Sequence, residues 1–262
     1  AGRTTLNGEG LQHQDGHSHI LSQTIPNCVS YDPTFGYELA VIIQAGLKRM
    51  VEKQENVYYY ITLMNENYPH PGLKSGQEEG ILAGMYLLQR GVAGANARVQ
   101  LLGSGTILRE VIAAAALLEK DWGVSADVWS CPSFSELARE GSEVERWNLL
   151  NPSSKPRLPY VARQLEKSAG PIIASTDYVK LFVEQIRAYL PRGRSMRVLG
   201  TDGFGRSDTR DVLRRHFEVD RHFVTVAALR ELAEQGTVPM AKVSEALKKY
   251  GIDAGKTNPF YA

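Results

Sequence analysis

Residues 98–121 read RVQLLGSGTILREVIAAAALLEKD. The opening RVQLL is a short apolar run of strand type, and the GSG behind it breaks the run off. Beyond that turn Ile107, Val111, Ala115 and Leu118 recur every three or four residues, which is the spacing of one helical face. A strand feeding straight into an amphipathic helix buries both apolar surfaces only when the helix packs back onto a sheet.

The same rhythm continues downstream. ADVWS, PIIAS and MRVLG are further short apolar strands, while SFSELARE, TRDVLRRHF, FVTVAALRELAEQG and MAKVSEALKKYG read as helices. TDYVKLFVEQIRAYL is expected to be a helix with Val179, Phe182 or Val183, Ile186 and Leu190 inward. Upstream, EEGILAGMYLLQR is expected to form a helix with Ile81, Met85 and Leu88 on one face, and VYYYITL at 57–63 a strand. Within CVSYDPTFGYELAVIIQAGLKRM, helical spacing at Ala40, Ile43, Leu47 and Met50 follows an Asp32-Pro33 start signal. This alternation predicts an α/β fold, a mostly parallel sheet with helices on both faces. The Pro-punctuated stretch NENYPHPGLKSG places a domain boundary near residue 73 and divides the chain into 1–73 and 74–262.

With 262 residues, 43% hydrophobic and 23% charged, the chain can bury a sizeable core. Thirty basic against 29 acidic residues leave no bulk field to recruit nucleic acid or an anionic membrane. No apolar run approaches a membrane span and the N-terminus has no signal-peptide pattern, so the cytoplasm is the expected location. Cys28 and Cys131 lack CxxC spacing and read as buried free thiols. The chain starts at Ala1 in a Gly-rich loop and reads as an excerpt of a longer one.

Three loops carry candidate chemistry. Gly103 and Gly105 invite a phosphate at a helix N-terminus, but Ile107 and Leu108 stand where GxGxxG has its last glycine, and GxxxxGK[ST] is absent. A plain strand-helix turn is the better reading. In TDGFGRSDTRD, Gly203 and Gly205 permit a sharp loop, Asp208 is placed to cap the next helix with Asp211 three positions on, and Arg206 offers the rim of a site or interface. The densest cluster is GLQHQDGHSH, residues 10–19, holding His13, Asp15, His17 and His19. Zinc would need a helix to join His13 to His17, and Gly16 opposes one. In an extended segment, i+2 spacing would turn these four side chains to one side, where a carboxylate orients imidazoles for general acid/base work. Neither GxSxG nor a cysteine with a nearby base is present, so nucleophilic hydrolysis is excluded.

Four stretches, GRTTLNGEGLQHQDGHSH, NVYYYITLMNENYPHP, ERWNLLNP and VLGTDGFGRSDTRDVLRRHFEVD, together resemble the C-terminal third of the homodimeric bacterial pyruvate dehydrogenase E1 component, a thiamine diphosphate-dependent, transketolase-like family. The likeness runs to the closing NPFYA. It implies that residues 1–73 end a pyrimidine-binding α/β domain and that 74–262 form a transketolase-like C-terminal domain. It further implies oxidative decarboxylation of pyruvate, with acetyl transfer to the lipoyl group of the E2 dihydrolipoyl acetyltransferase. The expected partners are a second E1 subunit and E2. The expected cofactors of the full-length enzyme are thiamine diphosphate and Mg2+, whose main binding residues would lie upstream, leaving this chain inactive alone. By similarity His13 reaches the active site and Asp15 and His19 line it. Gly8 and Gly10 would let the backbone approach neighbouring groups, and His17 takes no definite role. The alternative is a non-catalytic α/β dimerisation or assembly module of a 2-oxoacid dehydrogenase complex.

Overall fold

The computed structural model describes residues 2–262. In chain order the helices are α1 (Ser18–Gln23), α2 (Gly36–Leu47), α3 (Glu78–Ala83), α4 (Ile107–Trp122), α5 (Phe134–Leu150), α6 (Tyr160–Leu165), α7 (Leu181–Glu184), α8 (Arg210–His216), α9 (Arg221–Glu234) and α10 (Ala241–Lys249). Strands β1 (Cys28–Tyr31) and β2 (Tyr58–Ile61) pair in parallel as a small sheet, with Cys28 opposite Tyr58. The larger sheet holds β3 (Tyr86–Gln89), β4 (Arg98–Gly103), β5 (Ser125–Ser130), β6 (Ile172–Ser175) and β7 (Met196–Leu199) in the order β3-β5-β4-β6-β7. Every pair in it is parallel except β3 with β5 at one edge. The expected mostly parallel sheet with helices on both faces is the fold observed.

Alternation along the central strands explains the layers. Val99 and Leu101 of β4 and Ile173 of β6 enter one core, beneath Leu108 and Val111 of α4 and Val224 and Leu232 of α9. Leu102 of β4 and Ile172 and Ala174 of β6 enter the other, beneath Phe134 and Leu137 of α5, Val161 of α6 and Phe182 of α7. Both faces of the sheet are apolar, as a parallel sheet covered twice requires. Among the described residues no helix is long and apolar enough to cross a membrane. Cys28 and Cys131 are buried free thiols.

Several expected elements take another form. The helix expected over 78–90 stops after Ala83, because Gly84 adopts φ +97° and a Cβ there would lie 2.4 Å from the Ser133 carbonyl oxygen. Tyr86 to Gln89 then become the antiparallel edge strand β3. The helix expected over 176–190 shrinks to α7 plus a 3-10 turn at Arg187–Tyr189. Its first residues bond elsewhere: the Val179 N–H donates to Gly16 O at 3.0 Å, and Tyr178 O accepts from Thr201 N at 2.8 Å. Asp32-Pro33 does not start α2. Glu38 does, its Oε2 accepting the N–H of Thr34 at 2.6 Å and of Phe35 at 2.9 Å. Asp208 caps no helix either: its Oδ1 accepts only the adjacent Thr209 N–H, and α8 starts without a side-chain cap.

Candidate active site

The N-terminal segment lies across the carboxyl ends of β4, β6 and β7, the side of a parallel sheet on which α/β proteins place their sites. Asp177, just after β6, anchors it. This carboxylate accepts the Thr4 N–H at 2.9 Å, the Thr4 hydroxyl at 2.7 Å and the Thr5 hydroxyl at 2.6 Å. The Arg3 guanidinium reaches the Thr201 carbonyl beyond β7, and the Thr5 hydroxyl meets Thr106 beyond β4 at 2.8 Å.

The segment is not extended where the histidines lie. Asn7–Gln12 form a 3-10 turn and His19 belongs to α1, so the four polar side chains do not share one side. His13 points outward with its side chain 60% exposed, and its Nε2 stands 3.8 Å from Glu9 Oε2. Asp15 serves the start of α1, its Oδ1 accepting the N–H of His17 at 2.9 Å and of Ser18 at 3.0 Å. Burial pushes the Asp15 carboxyl up, but the Ser18 hydroxyl and these two amides outweigh it and hold it below its usual range. His17 is exposed, with Arg3 Nη2 3.5 Å from its Nε2.

His19 faces inward and is fully buried. Its Nδ1 meets the Ser30 hydroxyl at 2.7 Å and its Nε2 the Thr62 hydroxyl at 3.2 Å, while the ring stacks on Phe182 with centroids 4.5 Å apart. Burial lowers its pKa to about 3, so this imidazole is neutral and both its nitrogens are occupied. Of the three predicted site residues, His13 alone reaches solvent with an imidazole. The fold keeps His13 and His19 apart.

The loop carrying His13 is held by the loop carrying Arg206. The Gln14 amide spans the Arg206 main chain, Oε1 accepting its N–H at 2.8 Å and Nε2 donating to its carbonyl. Gly10, at φ +66°, permits this approach, since a Cβ there would lie 2.4 Å from Ser207 Oγ. Gly8 faces open space instead. A cleft of about 500 Å3 opens beside the pair, walled by Leu11, Gln12, Arg206, Val212 and His216.

Between β4 and β6, where the chain reverses its direction of travel across the sheet, the crevice is filled. Ser104 Oγ and Thr62 Oγ1 each donate to Asp32 at 2.7 Å, and Ser104 Oγ lies 3.2 Å from Thr176 Oγ1. Burial raises Asp32 to about 7 against the pull of these hydroxyls, and it likewise raises Asp177.

Residues 1–71 match the pyruvate dehydrogenase E1 component middle domain, and residues 84–220 match the transketolase-like C-terminal domain. The pyruvate dehydrogenase E1 component of Cupriavidus necator is 64% identical over 99% of this chain and 29% of that protein; the one from Escherichia coli K12 is 59% identical over the same shares. The chain belongs to the pyruvate dehydrogenase E1 family. It spans 29% of the length of these relatives. Among solved structures, the fold is shared with transketolase from Leishmania mexicana, at TM-score 0.62 and 21% identity over 91% of this chain and 30% of that one. Transketolase from Campylobacter jejuni shares it at TM-score 0.59 and 18% identity, over 87% and 30%.

Two places in this chain were candidates for the diphosphate and Mg2+ of a pyruvate dehydrogenase E1, and neither fits that group. Among the described residues no group of three or more His, Cys, Asp and Glu side chains converges to hold a metal ion. The GSG turn is closed to a phosphate as well: the Gly105 N–H donates to Asp32 O at 3.1 Å, and a Cβ at Gly105 would lie 2.6 Å from Asp32 Oδ2. The Asp32 carboxyl group lies against Gly105.

Sequence reading singled out His13, Asp15 and His19 but passed over Gln14, Asp32 and Asp177. A glutamine in a polar loop carries no pattern, and Asp32-Pro33 mimics a helix start. Asp177 stands at the carboxyl end of an apolar strand, the one signal that would have marked it.

Proposed function

We propose that this chain is the C-terminal part of a cytoplasmic pyruvate dehydrogenase E1 enzyme, with residues 1–73 ending its pyrimidine-binding domain and 74–262 forming its C-terminal domain. The intact enzyme decarboxylates pyruvate oxidatively and passes the acetyl group to the lipoyl arm of an E2 acyltransferase, as a dimer. The position of His13 carries this reading: its loop is pinned through Gln14 and Arg206 over the carboxyl edge of the sheet while its imidazole stays exposed. Residues of the rest of the enzyme would hold thiamine diphosphate with Mg2+, which would supply an electron sink there.

The residues of this chain handle protons. His13 would donate a proton to the oxygen that gains charge on the pyruvate carbonyl, or to the thiolate released on acetyl transfer. Asp15 sets the turn behind it by holding the first amides of α1. His19 locks that helix to β1 and β2 through Ser30 and Thr62. Both are positioning residues here.

An assembly role accompanies the catalytic one. Ile43 and Leu47 of α2, with Val51 beyond it, are 45%, 54% and 66% exposed, an apolar face suited to further protein. Mixing this chain with the complementary upstream fragment should restore acetyl transfer that neither piece shows alone. Turnover of pyruvate by this chain by itself would refute the division of labour.

A further inference from the structure

At the opposite end of the sheet, beside the segments that lead into β6 and β7, lies a cleft of about 690 Å3. Its walls come from the last turns of α5, from α6 and from the 188–194 turn. That volume falls in the range of small-molecule sites. Val144, Ala162 and Leu190 supply apolar lining, and Arg157, Arg192 and Arg194 face the same space.

Most other buried or half-buried arginines pair with a carboxylate, Arg3 being an exception. Arg98 pairs with Asp127, Arg214 with Glu66 and Arg221 with Glu110. Among the described residues Arg157, Arg192 and Arg194 form no ion pair, although Glu145 and Glu166 line the same cleft. Arg194 is half-buried and spends its hydrogen bonds on neutral groups: Nη1 on the carbonyls of Leu165 at 3.3 Å and Ser168 at 2.8 Å, Nη2 on Ser168 Oγ at 3.4 Å. Its Nε has no partner. Burial lowers its pKa with no carboxylate to offset the cost. Arg157 is pre-set. Its guanidinium lies 3.7 Å over the Trp147 ring, and the Asn148 side chain holds its main chain from both sides, at 2.8 Å and 2.9 Å. Two held and unpaired guanidinium groups, Arg157 and Arg194, with the exposed Arg192 beside them and an apolar lining, suit recognition of an oxyanion on an organic body.

We propose that this cleft binds a small organic anion, an apolar or planar body carrying a phosphate or carboxylate, and is a second site remote from His13. This inference does not rest on the proposed function.

Titration calorimetry of the chain with phenyl phosphate, benzoate, inorganic phosphate and phenol tests it. Phenyl phosphate or benzoate should bind saturably at one site, more tightly than inorganic phosphate, and the tighter of the two names the head group. The exposed pair Arg157→Gln and Arg192→Gln together should weaken that binding about tenfold or more while leaving the melting temperature unchanged. No saturable binding of either anion by about 10 mM, equal affinity for phenol, or an unchanged affinity in the double variant would each overturn the proposal.

Discussion

Gln14 holds Arg206 by both polar groups of its main chain, across 192 positions of sequence. Gln14 is buried and also donates to the Asn7 carbonyl at 2.9 Å, so one side chain ties the 3-10 turn, the His13 loop and the 203–208 loop together. Gln14→Ala would remove three part-buried hydrogen bonds, at a cost of about 0.5–1.5 kcal/mol. Denaturant unfolding should show that loss, and limited proteolysis should cut faster within 203–208. Unaltered cleavage there would mean the latch does not hold the loop.

His13→Ala isolates chemistry from folding, since a side chain 60% exposed contributes little to packing. In the longer enzyme the variant should slow lipoyl acetylation by about a hundredfold or more, the usual worth of a general acid. Its unfolding midpoint should match that of the parent. A full rate of acetylation would end the acid/base role.

His19 makes the fold sensitive to acid. Its pKa of about 3 in the fold lies below the ordinary 6.5, so the unfolded chain binds the proton more readily. Stability is therefore complete above about pH 6.5 and is lost as pH falls toward 3, on the order of 2–3 kcal/mol by pH 4.5. His19→Gln cannot titrate and lacks this slope. Its deficit against the parent in urea unfolding should be smaller at pH 4.5 than at pH 7; equal deficits would show that His19 is not buried neutral.

Asp32 acts in the opposite direction. Its pKa of about 7 lies above the ordinary 3.8, so the fold keeps the carboxyl protonated where the unfolded chain ionises it. Stability is complete below pH 3.8 and falls as pH rises to 7, by about 4 kcal/mol at most. Asp32→Asn keeps a neutral group of the same shape. Relative to the parent it should gain stability between pH 4 and 7 and level off above, a trend that a flat difference in unfolding free energy across that window would rule out.

Local pattern made most of the architecture legible. The run 98–121 forms β4 and α4 as its spacing predicts, and the apolar strands ADVWS, PIIAS and MRVLG become β5, β6 and β7. These elements are decided by residues three or four apart on a helix, or by a short apolar run. Over 78–90 the pattern misleads, because Ile81, Met85 and Leu88 keep helical spacing across Gly84 while that glycine's contact with Ser133, 49 positions away, forces a turn. CVSY, too short for its strand character to stand out, becomes β1 only through pairing with 58–61.

The α/β class, the order of the elements and the loop in which His13 lies all follow from neighbours along the chain, so they were readable from residue order. Which imidazole is free depends on long-range packing. His13 faces solvent and His19 is sealed against Phe182, Ser30 and Thr62, six residues apart in one polar stretch, because Asp15 starts α1 between them and turns the second ring into the core. The filling of the crevice by Asp32 and the latch from Gln14 to Arg206 depend on such packing too, since they join segments 72 and 192 residues apart. Hydrogen bonds of that span leave no periodic trace in a sequence.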